Sequence, residues 1–507
     1  MTGGECLLRT LAASGVEVCF MNPGTSEMHF VAALDRVPEM RGILCLFEGV
    51  CSGAADGYAR MARKPAATLL HLGPGLANGL ANFHNARKAR SPIVSLVGEH
   101  STQHMRFDAP LSADIDAFSR PVSTKIARLE RTFDMGSAAA EAIAAARAYP
   151  GQIATLIIPA DFSWSESGPV EAAPPPVPPP LPAQLPDIGT DSVGFILGGS
   201  TLMGKGLLLA ARFAAAGYRI YADRNAARVE TGRGRFQPER IAYFPAPAQA
   251  QLAGCKELIL VEAKAPVSFF GYPDEASYLA PESCRVATLA GLEEDGTGAL
   301  AALADRLQLP EIYDFIDKPE ASLPAGDGPL TLDAVGAVIA ALLPEDAIVS
   351  DEMVSSGPPV LARLASAKRF DYLPVTGGSI GQGMPVAVGA AIACPDRKVV
   401  VLEGDGSAFY TPQSLWTMAR EGLDVVTVVF VNHRYEILDI EMRRTGANGF
   451  GVKANDMVDI GRPELDFVQL AGSMGVPGTK ASTIVEFTAQ FGAAMREKGP
   501  RLIAAEL

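Results

Sequence analysis

The amino-acid sequence predicts an α/β protein made of three doubly wound, parallel-sheet domains. Short β-rich runs alternate with alanine-rich helical stretches along the 507 residues, a pattern typical of parallel sheets with right-handed crossovers. Two proline-rich breaks divide the chain, and each block between them repeats the alternation. The length favours the same division, because a single hydrophobic core does not grow to this size.

The domain boundaries follow from the two breaks. The stronger one, VEAAPPPVPPPLPAQLPD, is rich in proline, which favours an extended linker. The weaker one is KPEASLPAGDGP. We predict an N-terminal domain over residues 1–168, a linker over 169–187, a central domain over 188–317, a second linker over 318–330 and a C-terminal domain over 331–507.

Composition excludes several classes of protein. Apolar residues make up 48% of the chain and the net charge is −14, so no overall basic field attracts nucleic acid or an anionic membrane. The seven cysteines are dispersed without a CxxC pair, as in a protein whose thiols stay reduced. No secretory signal is visible, and apolar runs such as Val425–Val431 have only the length of a strand. We expect a cytoplasmic protein with neither a nucleic-acid nor a membrane partner.

The strands can be assigned block by block. The first block contains GVEVCFMN, ATLLHL and PIVSLVG, and the middle block contains GFILGG, RIYAD and ELILVEA. The last contains AIVSD, KVVVLEGDG and VVTVVFVNH, and the latter two are continuously apolar, as strands buried on both faces are. Parallel sheets bind ligands at the carboxyl ends of their strands, so the polar residues that follow these runs are the candidates for chemistry.

The most informative stretch, residues 399–438, reads as strand, GDG turn, helix and strand. Asp405 follows the first strand and Asn432 follows the second, 27 residues later. In a parallel βαβ unit the two strand ends lie side by side, and the helix between them begins at the same place. Hard oxygens beside a helix N-terminus suit Mg²⁺ that bridges phosphates. For GDG alone, a turn capped by Asp405 or Ser407 is the simpler interpretation.

GDG, this spacer and the terminal Asn resemble the signature of thiamine diphosphate enzymes, and the surroundings resemble the acetolactate synthase and benzoylformate decarboxylase group. The resemblance implies pyrimidine-binding, central and diphosphate-binding domains, in that order. It also implies that Asp405, the Asn432 side chain and the Arg434 backbone carbonyl ligate Mg²⁺. The other implied cofactor-binding residues of this segment are Gly404, Gly406, Ser407 and Tyr435.

Two further segments match the family. In GILCLFEGVCSGAADGYAR, Glu48 follows an apolar strand and precedes a small-residue helix; taken alone it reads as a charge favourable to the helix dipole. By resemblance, Glu48 is the catalytic carboxylate that contacts the pyrimidine of the cofactor. In VTGGSIGQGMPVAVGAAIA, Ile380 matches the large apolar residue that holds the cofactor bent. By the same resemblance, the Gly378 carbonyl would meet the 4′-amino group of the cofactor. DEMVSSG, residues 351–357, is placed like the loop that contacts the diphosphate.

The substrate pocket resembles the decarboxylase only in part. In NPGTSEM, Thr25 stands where a hydroxyl of the decarboxylase meets the substrate carboxylate. In HLGPG, His71 stands at the position of that enzyme's first active-site histidine. Gly271, however, stands at the second histidine. Ile437 and Glu441 replace small and aromatic pocket residues, which changes the expected size and charge of the pocket.

The resemblance implies conversion of a 2-oxo acid through a decarboxylated carbanion or enamine, which is then protonated or added to a second carbonyl compound such as an aldehyde or another oxo acid. We expect acetolactate synthase-like carboligation. Benzoylformate-type decarboxylation is the alternative, and a 2-hydroxyacyl-CoA lyase is a third reading that no feature marks. A non-catalytic paralogue that binds the cofactor, and an unrelated nucleotide-binding protein, belong to other classes; retention of Glu48 argues against the first of these.

Cofactor and assembly follow from the same resemblance. Thiamine diphosphate and Mg²⁺ are expected. Acetolactate synthases usually contact FAD in the middle domain, but FAD is not inferred here because residues 188–320 lack a GxGxxG motif. In the family, the glutamate of one subunit serves the cofactor bound by another subunit, so a homodimer or homotetramer is expected.

Overall fold

A computed structural model of the chain describes residues 1–189, 191–311, 315, 317–447, 449 and 451–507. It contains sheets of six, five and seven strands. All strand pairings given for the first two sheets are parallel, and the predicted α/β class is confirmed. Within the predicted central domain, residues 190, 312–314 and 316 lie outside the described part of the chain.

The first sheet has the strand order β2-β1-β3-β4-β6-β5. Its central strands are buried on both faces, which explains their unbroken apolar sequence. Its strands are β1 Val18–Asn22, β2 Arg41–Leu44, β3 Ala66–Leu70, β4 Ile93–Glu99, β5 Lys125–Arg128 and β6 Ile153–Pro159. Its helices are α1 Gly3–Ala13, α2 Met28–Ala33, α3 Glu48–Ala62, α4 Leu72–Ala89, α5 Ile115–Ser119, α6 Met135–Arg147 and α7 Ala160–Trp164.

The middle segment supplies the second sheet and one strand of the third. Its strands are β7 Val193–Leu197, β8 Arg219–Ala222, β9 Val229–Thr231, β10 Glu239–Arg240, β11 Glu257–Val261 and β12 Arg285–Ala290, and its helices are α8 Gly204–Ala215, α9 Pro245–Leu252 and α10 Gly296–Arg306. The sheet order is β10-β8-β7-β11-β12. Strand β9 leaves this sheet and pairs antiparallel with the third sheet at Phe370, a connection that the alternating pattern did not predict.

The third sheet has the order β17-β18-β16-β15-β13-β14-β9 and is parallel except for β9. Its remaining strands are β13 Ala347–Glu352, β14 Phe370–Pro374, β15 Val399–Gly404, β16 Val425–Val431, β17 Gly478–Ala481 and β18 Arg501–Glu506. Its helices are α11 Leu332–Leu342, α12 Gly357–Leu364, α13 Gly383–Ala393, α14 Asp405–Ala408, α15 Gln413–Arg420, α16 Glu436–Arg444, α17 Val452–Asp456, α18 Phe467–Ser473 and α19 Ile484–Arg496.

Helices α3 and α13 join the first and third sheets through small residues. A Cβ on Gly57 would lie 2.0 Å from the Val386 carbonyl oxygen, and one on Gly389 would lie 1.9 Å from the Ala54 carbonyl oxygen. The two backbones therefore touch, and only glycine permits this approach. No helix in the described ranges combines the length and hydropathy that crossing a bilayer requires.

Candidate active site

Glu48 lies at the carboxyl edge of the first sheet, where it begins helix α3 after strand β2. Only 7% of it is exposed. The Asn22 side-chain amide donates to Oε1 of Glu48 over 3.1 Å, and the Asn78 amide donates to Oε2 over 3.0 Å. Because Asn22 ends β1 and Asn78 belongs to α4, three elements fix the direction of this carboxylate.

His71 lies beside this carboxylate, just after strand β3, and its ring is held by Glu27. Nδ1 of His71 is 2.8 Å from Oε2 of Glu27 and 3.3 Å from the Ser26 hydroxyl. Glu27 is 2% exposed and also accepts the backbone N–H of Gly24 over 2.7 Å. The hydrogen bond to Glu27 raises the pKa of His71 above its ordinary value, with a further contribution from the charge of Glu48 and an opposing one from burial.

Thr25, the predicted substrate-contacting hydroxyl, is exposed in the 3-10 helix Thr25–Glu27. The hydroxyl that contacts His71 belongs to the next residue, Ser26. Gly24 packs directly on the imidazole, since a Cβ there would lie 2.3 Å from Cγ of His71. The NPGTSEM turn therefore places Gly24, Ser26 and Glu27 against His71.

Asp405 lies at the carboxyl edge of the third sheet and is held by backbone amides. Its Oδ2 accepts the N–H groups of Asn432 over 2.9 Å and His433 over 2.7 Å, and Oδ1 accepts that of Gly406 over 2.8 Å. Strands β15 and β16 pair side by side up to Gly404, which accounts for the expected closeness of the two strand ends. Burial raises the pKa of Asp405, against the opposing effect of these amides.

The donor set around Asp405 fits a hard divalent cation. Oδ1 of Asn432 accepts the Arg434 backbone N–H over 3.0 Å, so the amide oxygen and the Arg434 peptide belong to one turn next to Asp405. Carboxylate, amide and carbonyl oxygens are the ligands that Mg²⁺ prefers. Tyr435 covers the GDG turn, since a Cβ on Gly406 would lie 2.3 Å from its ring. Ser407 is buried in the same turn.

The loop before α13 is tied to Glu352, the last residue of strand β13. The Glu352 carboxylate receives the backbone N–H groups of Gly381, Gln382 and Gly383, the second over 2.8 Å. Burial raises the pKa of Glu352 to about 7. The DEMVSSG segment thus fixes the loop in which Gly378 and Ile380 lie, and Ile380 is half-buried.

Gly378 has φ +81°, and a Cβ there would lie 2.3 Å from Cζ of Phe269. Phe269 comes from the middle segment and packs against Tyr243 and Phe270, with ring centroids 5.1 and 5.0 Å apart. An aromatic cluster therefore borders the backbone that the sequence assigns to the cofactor. Gly271 itself lies exposed in the same loop, with open space at its Cβ position.

Glu441 and Ile437 lie on helix α16. The Glu441 carboxylate accepts the hydroxyl groups of Tyr272 over 3.1 Å and Tyr243 over 3.5 Å. Burial is the largest cause, and the hydrogen bond to Glu441 the next, of a rise in the pKa of Tyr272 to about 12. Glu441 therefore links α16 to the aromatic cluster, and its place in the substrate pocket stays a prediction. Ile437 is half-buried on the same helix.

The predicted site residues thus form two clusters in one chain. Glu48, His71 and Thr25 lie at the edge of the first sheet, and Asp405 and the residues around it lie at the edge of the third. Within the described residues, none of the hydrogen bonds of Glu48, His71 or Asp405 joins one cluster to the other.

Sequence reasoning missed the residues that position others. Glu27 and Asn22 both stand in the NPGTSEM turn, so the turn itself carried the signal, although only Thr25 was singled out. Asn78 and Phe269 had no local signal, because their contacts to Glu48 and Gly378 cross elements that are distant in sequence.

Two models of one known family match the chain. The family model described as thiamine pyrophosphate enzyme, N-terminal TPP binding domain, matches residues 1–119. The corresponding C-terminal TPP binding domain matches residues 360–505. The first match covers the Glu48 cluster and the second covers the Asp405 cluster.

Similar proteins span the whole chain. A Mycobacterium tuberculosis protein named "Putative acetolactate synthase large subunit IlvX" is 50% identical over 99% of this chain and 98% of its own length. Benzoylformate decarboxylase of Pseudomonas aeruginosa is 29% identical over 97% of this chain and 96% of its own. The solved structure of a Rhodococcus jostii thiamine diphosphate-dependent 4-hydroxybenzoylformate decarboxylase superposes with a TM-score of 0.82 at 22% identity, covering 100% and 99% of the two chains. From the two family models and the 50% identical relative, this chain belongs to the thiamine pyrophosphate enzyme family and carries both of its cofactor-binding domains.

Proposed function

We propose that this protein is a thiamine diphosphate- and Mg²⁺-dependent decarboxylase that converts a 2-oxo acid to an aldehyde. The observation that carries the proposal is the His71–Glu27 pair beside Glu48, because it supplies a proton donor where a decarboxylated product needs one. The choice between protonation and carboligation rests on this pair.

The third-sheet cluster holds the cofactor in this proposal. Asp405, the Asn432 amide and the Arg434 carbonyl would hold Mg²⁺, and the amides of the GDG turn together with Ser407 would hold the diphosphate. Gly404 and Gly406 would permit close approach of the diphosphate, Tyr435 covers the GDG turn, and Gly378 with Ile380 would position the organic rings. When bound, thiamine diphosphate supplies an electron sink for the loss of CO₂.

Glu48 would be the carboxylate that contacts the pyrimidine of the cofactor. Asn22 and Asn78 each donate to one of its oxygens, so the carboxylate keeps one direction and retains lone pairs for a ligand nitrogen. Because Glu48 is nearly inaccessible to water, a hydrogen bond to the pyrimidine nitrogen would be stronger here than in bulk water.

His71 acts as the general acid. The hydrogen bond from its Nδ1 to Glu27 favours the imidazolium form, which keeps a proton on Nε2 for transfer to the product carbon. Thr25 and Ser26 lie in the turn that carries Glu27, and either hydroxyl can meet the substrate carboxylate. A carboligase needs the opposite condition, in which protonation is slow enough for a second carbonyl compound to react.

The test incubates the holoenzyme with pyruvate and with benzoylformate and measures CO₂, aldehyde and 2-hydroxy ketone separately. We expect aldehyde to match CO₂ in the wild-type enzyme. His71→Ala should lower the yield of aldehyde per CO₂, while His29→Gln, a change at an exposed histidine near the same turn, should leave that ratio unaltered. A wild-type enzyme that forms mainly 2-hydroxy ketone would contradict the proposal.

Carboligation of the acetolactate synthase kind is the second candidate. It is favoured by the name of the 50% identical relative. In that case pyruvate alone yields acetolactate, and His71→Ala does not reduce its formation.

We also propose that the active unit is a homodimer or homotetramer. The proposal rests on the family resemblance, in which the glutamate of one subunit serves the cofactor bound by another subunit.

A further inference from the structure

The middle sheet has the strand order of a nucleotide-binding fold. From β7 the chain proceeds to β8 and β10 on one side, and to β11 and β12 on the other. The direction of progression reverses between β7 and β11. In open parallel sheets, ligands bind in the crevice outside the carboxyl ends of the strands at such a reversal, with phosphate groups on backbone amides at helix N-termini.

Glu262 fills this crevice from within the chain. It follows β11 directly and is 5% exposed. Its Oε2 accepts the backbone N–H of Ser200 over 2.6 Å, in the turn after β7, and its Oε1 accepts that of Gly296 over 2.8 Å, at the first residue of α10. The Ser200 hydroxyl also donates to Oε1, over 2.6 Å. These donors converge on one carboxylate, as backbone amides in nucleotide-binding folds converge on a bound phosphate.

The surrounding backbone is shaped for this carboxylate. Gly199 has φ +49°, and a Cβ there would lie 2.0 Å from Oε2 of Glu262, while a Cβ on Gly296 would lie 2.6 Å from Oε1. Glu262 itself has φ +48°, a conformation that costs a non-glycine residue free energy. Tyr149, in the turn after α6, adjoins the same carboxylate, and burial together with the Glu262 charge raises its pKa.

We infer that Glu262 is an internal substitute for a ligand phosphate, and that it closes the middle-sheet crevice to a dinucleotide such as FAD. A phosphate and the carboxylate would compete for the same amides, and two anions cannot share a buried position without a counter-ion. The residues present therefore do not fit the FAD that acetolactate synthases usually contact in this domain. This inference is independent of the reaction proposed above.

The first experiment uses the wild-type holoenzyme, which is titrated with FAD and separately with ADP. We expect no saturable binding by calorimetry and no flavin absorbance in the protein after desalting. The inference would be overturned if FAD and ADP each bound stoichiometrically and each displaced the other.

The second experiment opens the crevice. Glu262→Gly removes the carboxylate and relieves the left-handed backbone, so the variant is expected to fold. Inorganic phosphate should raise its melting temperature in a saturable manner. Glu262→Gln, which keeps the volume, and Asp295→Ala, which removes the N-cap of the same helix, should show no such rise. If phosphate stabilised neither Glu262→Gly nor the controls, or stabilised all three variants equally, the crevice would not be an anion site and the inference would be wrong.

Discussion

The first and third sheets both present polar groups at the carboxyl edges of parallel strands, but they hold those groups by different means. Asn22 and Asn78 hold Glu48, and Glu27 holds His71, so side chains orient side chains in the first sheet. In the third sheet, backbone amides hold Asp405. Side-chain networks adjust protonation, whereas a backbone cradle fixes the position of a charge. In the proposed function, the first edge controls proton transfer and the second holds the cofactor.

The largest effect is expected at the third-sheet edge. Asp405→Ala should abolish the rise in melting temperature that thiamine diphosphate with Mg²⁺ produces in the wild type. Activity should fall by about a hundredfold or more, since even residues that only support metal ligands are worth about 10–100-fold. The exposed carboxylate Asp333 offers a control through Asp333→Asn. An unchanged cofactor-dependent stabilisation in Asp405→Ala would remove the metal role from this cluster.

The next prediction tests whether the two edges meet across subunits. Glu48→Gln and Asp405→Ala should each be nearly inactive alone. When both chains are co-expressed, mixed dimers contain one site with both groups intact, so activity should return to about a quarter of the wild-type value if pairing is random. A co-expressed mixture no more active than the separate variants would place both edges in one subunit.

A change at Glu27 sharpens the proton-transfer side of the comparison. The pKa of His71 is raised in the folded protein, so the imidazolium and the stability that it contributes persist at low pH and are lost as pH rises through that pKa. The rate of aldehyde formation should fall as pH rises through the pKa of His71. Glu27→Gln should move this fall to lower pH in a pH–rate profile. A profile identical to that of the wild type would exclude the coupling of Glu27 to His71.

A substitution at Gly406 tests the packing of the GDG turn in the absence of any ligand. Gly406→Ala should lower the free energy of unfolding by about 1–3 kcal/mol, because the new methyl group overlaps the Tyr435 ring. Tyr435→Ala in the same chain should remove most of this loss, a coupling that a double-mutant cycle measures. Gly472→Ala, where a Cβ meets open space, is the matched control. Additive losses at Gly406 and Tyr435 would show that the two residues do not press on each other.

The smallest effect is expected away from both edges, at Glu441. Glu441→Gln replaces a charged acceptor of the Tyr272 hydroxyl by a neutral one, which should cost about 1 kcal/mol of unfolding free energy. It should also lower the pKa of Tyr272, which is followed by ultraviolet titration. A loss of activity far larger than this stability change would support the predicted place of Glu441 in the substrate pocket.

The sequence by itself determined the α/β class, the positions of most strands and the family. The alternation of strands and helices, the continuous apolar runs and the spacing from Asp405 to Asn432 are local or nearly local signals. It predicted the cofactor and metal residues, which stay predictions, and it placed them at strand ends by the general rule for parallel sheets. Only the tertiary structure decided that Glu27 holds His71, that Phe269 borders Gly378, that β9 joins the third sheet and that Glu262 fills the middle crevice. These contacts join residues far apart in the chain, and their direction depends on how helices and loops pack, which no spacing in one sequence encodes.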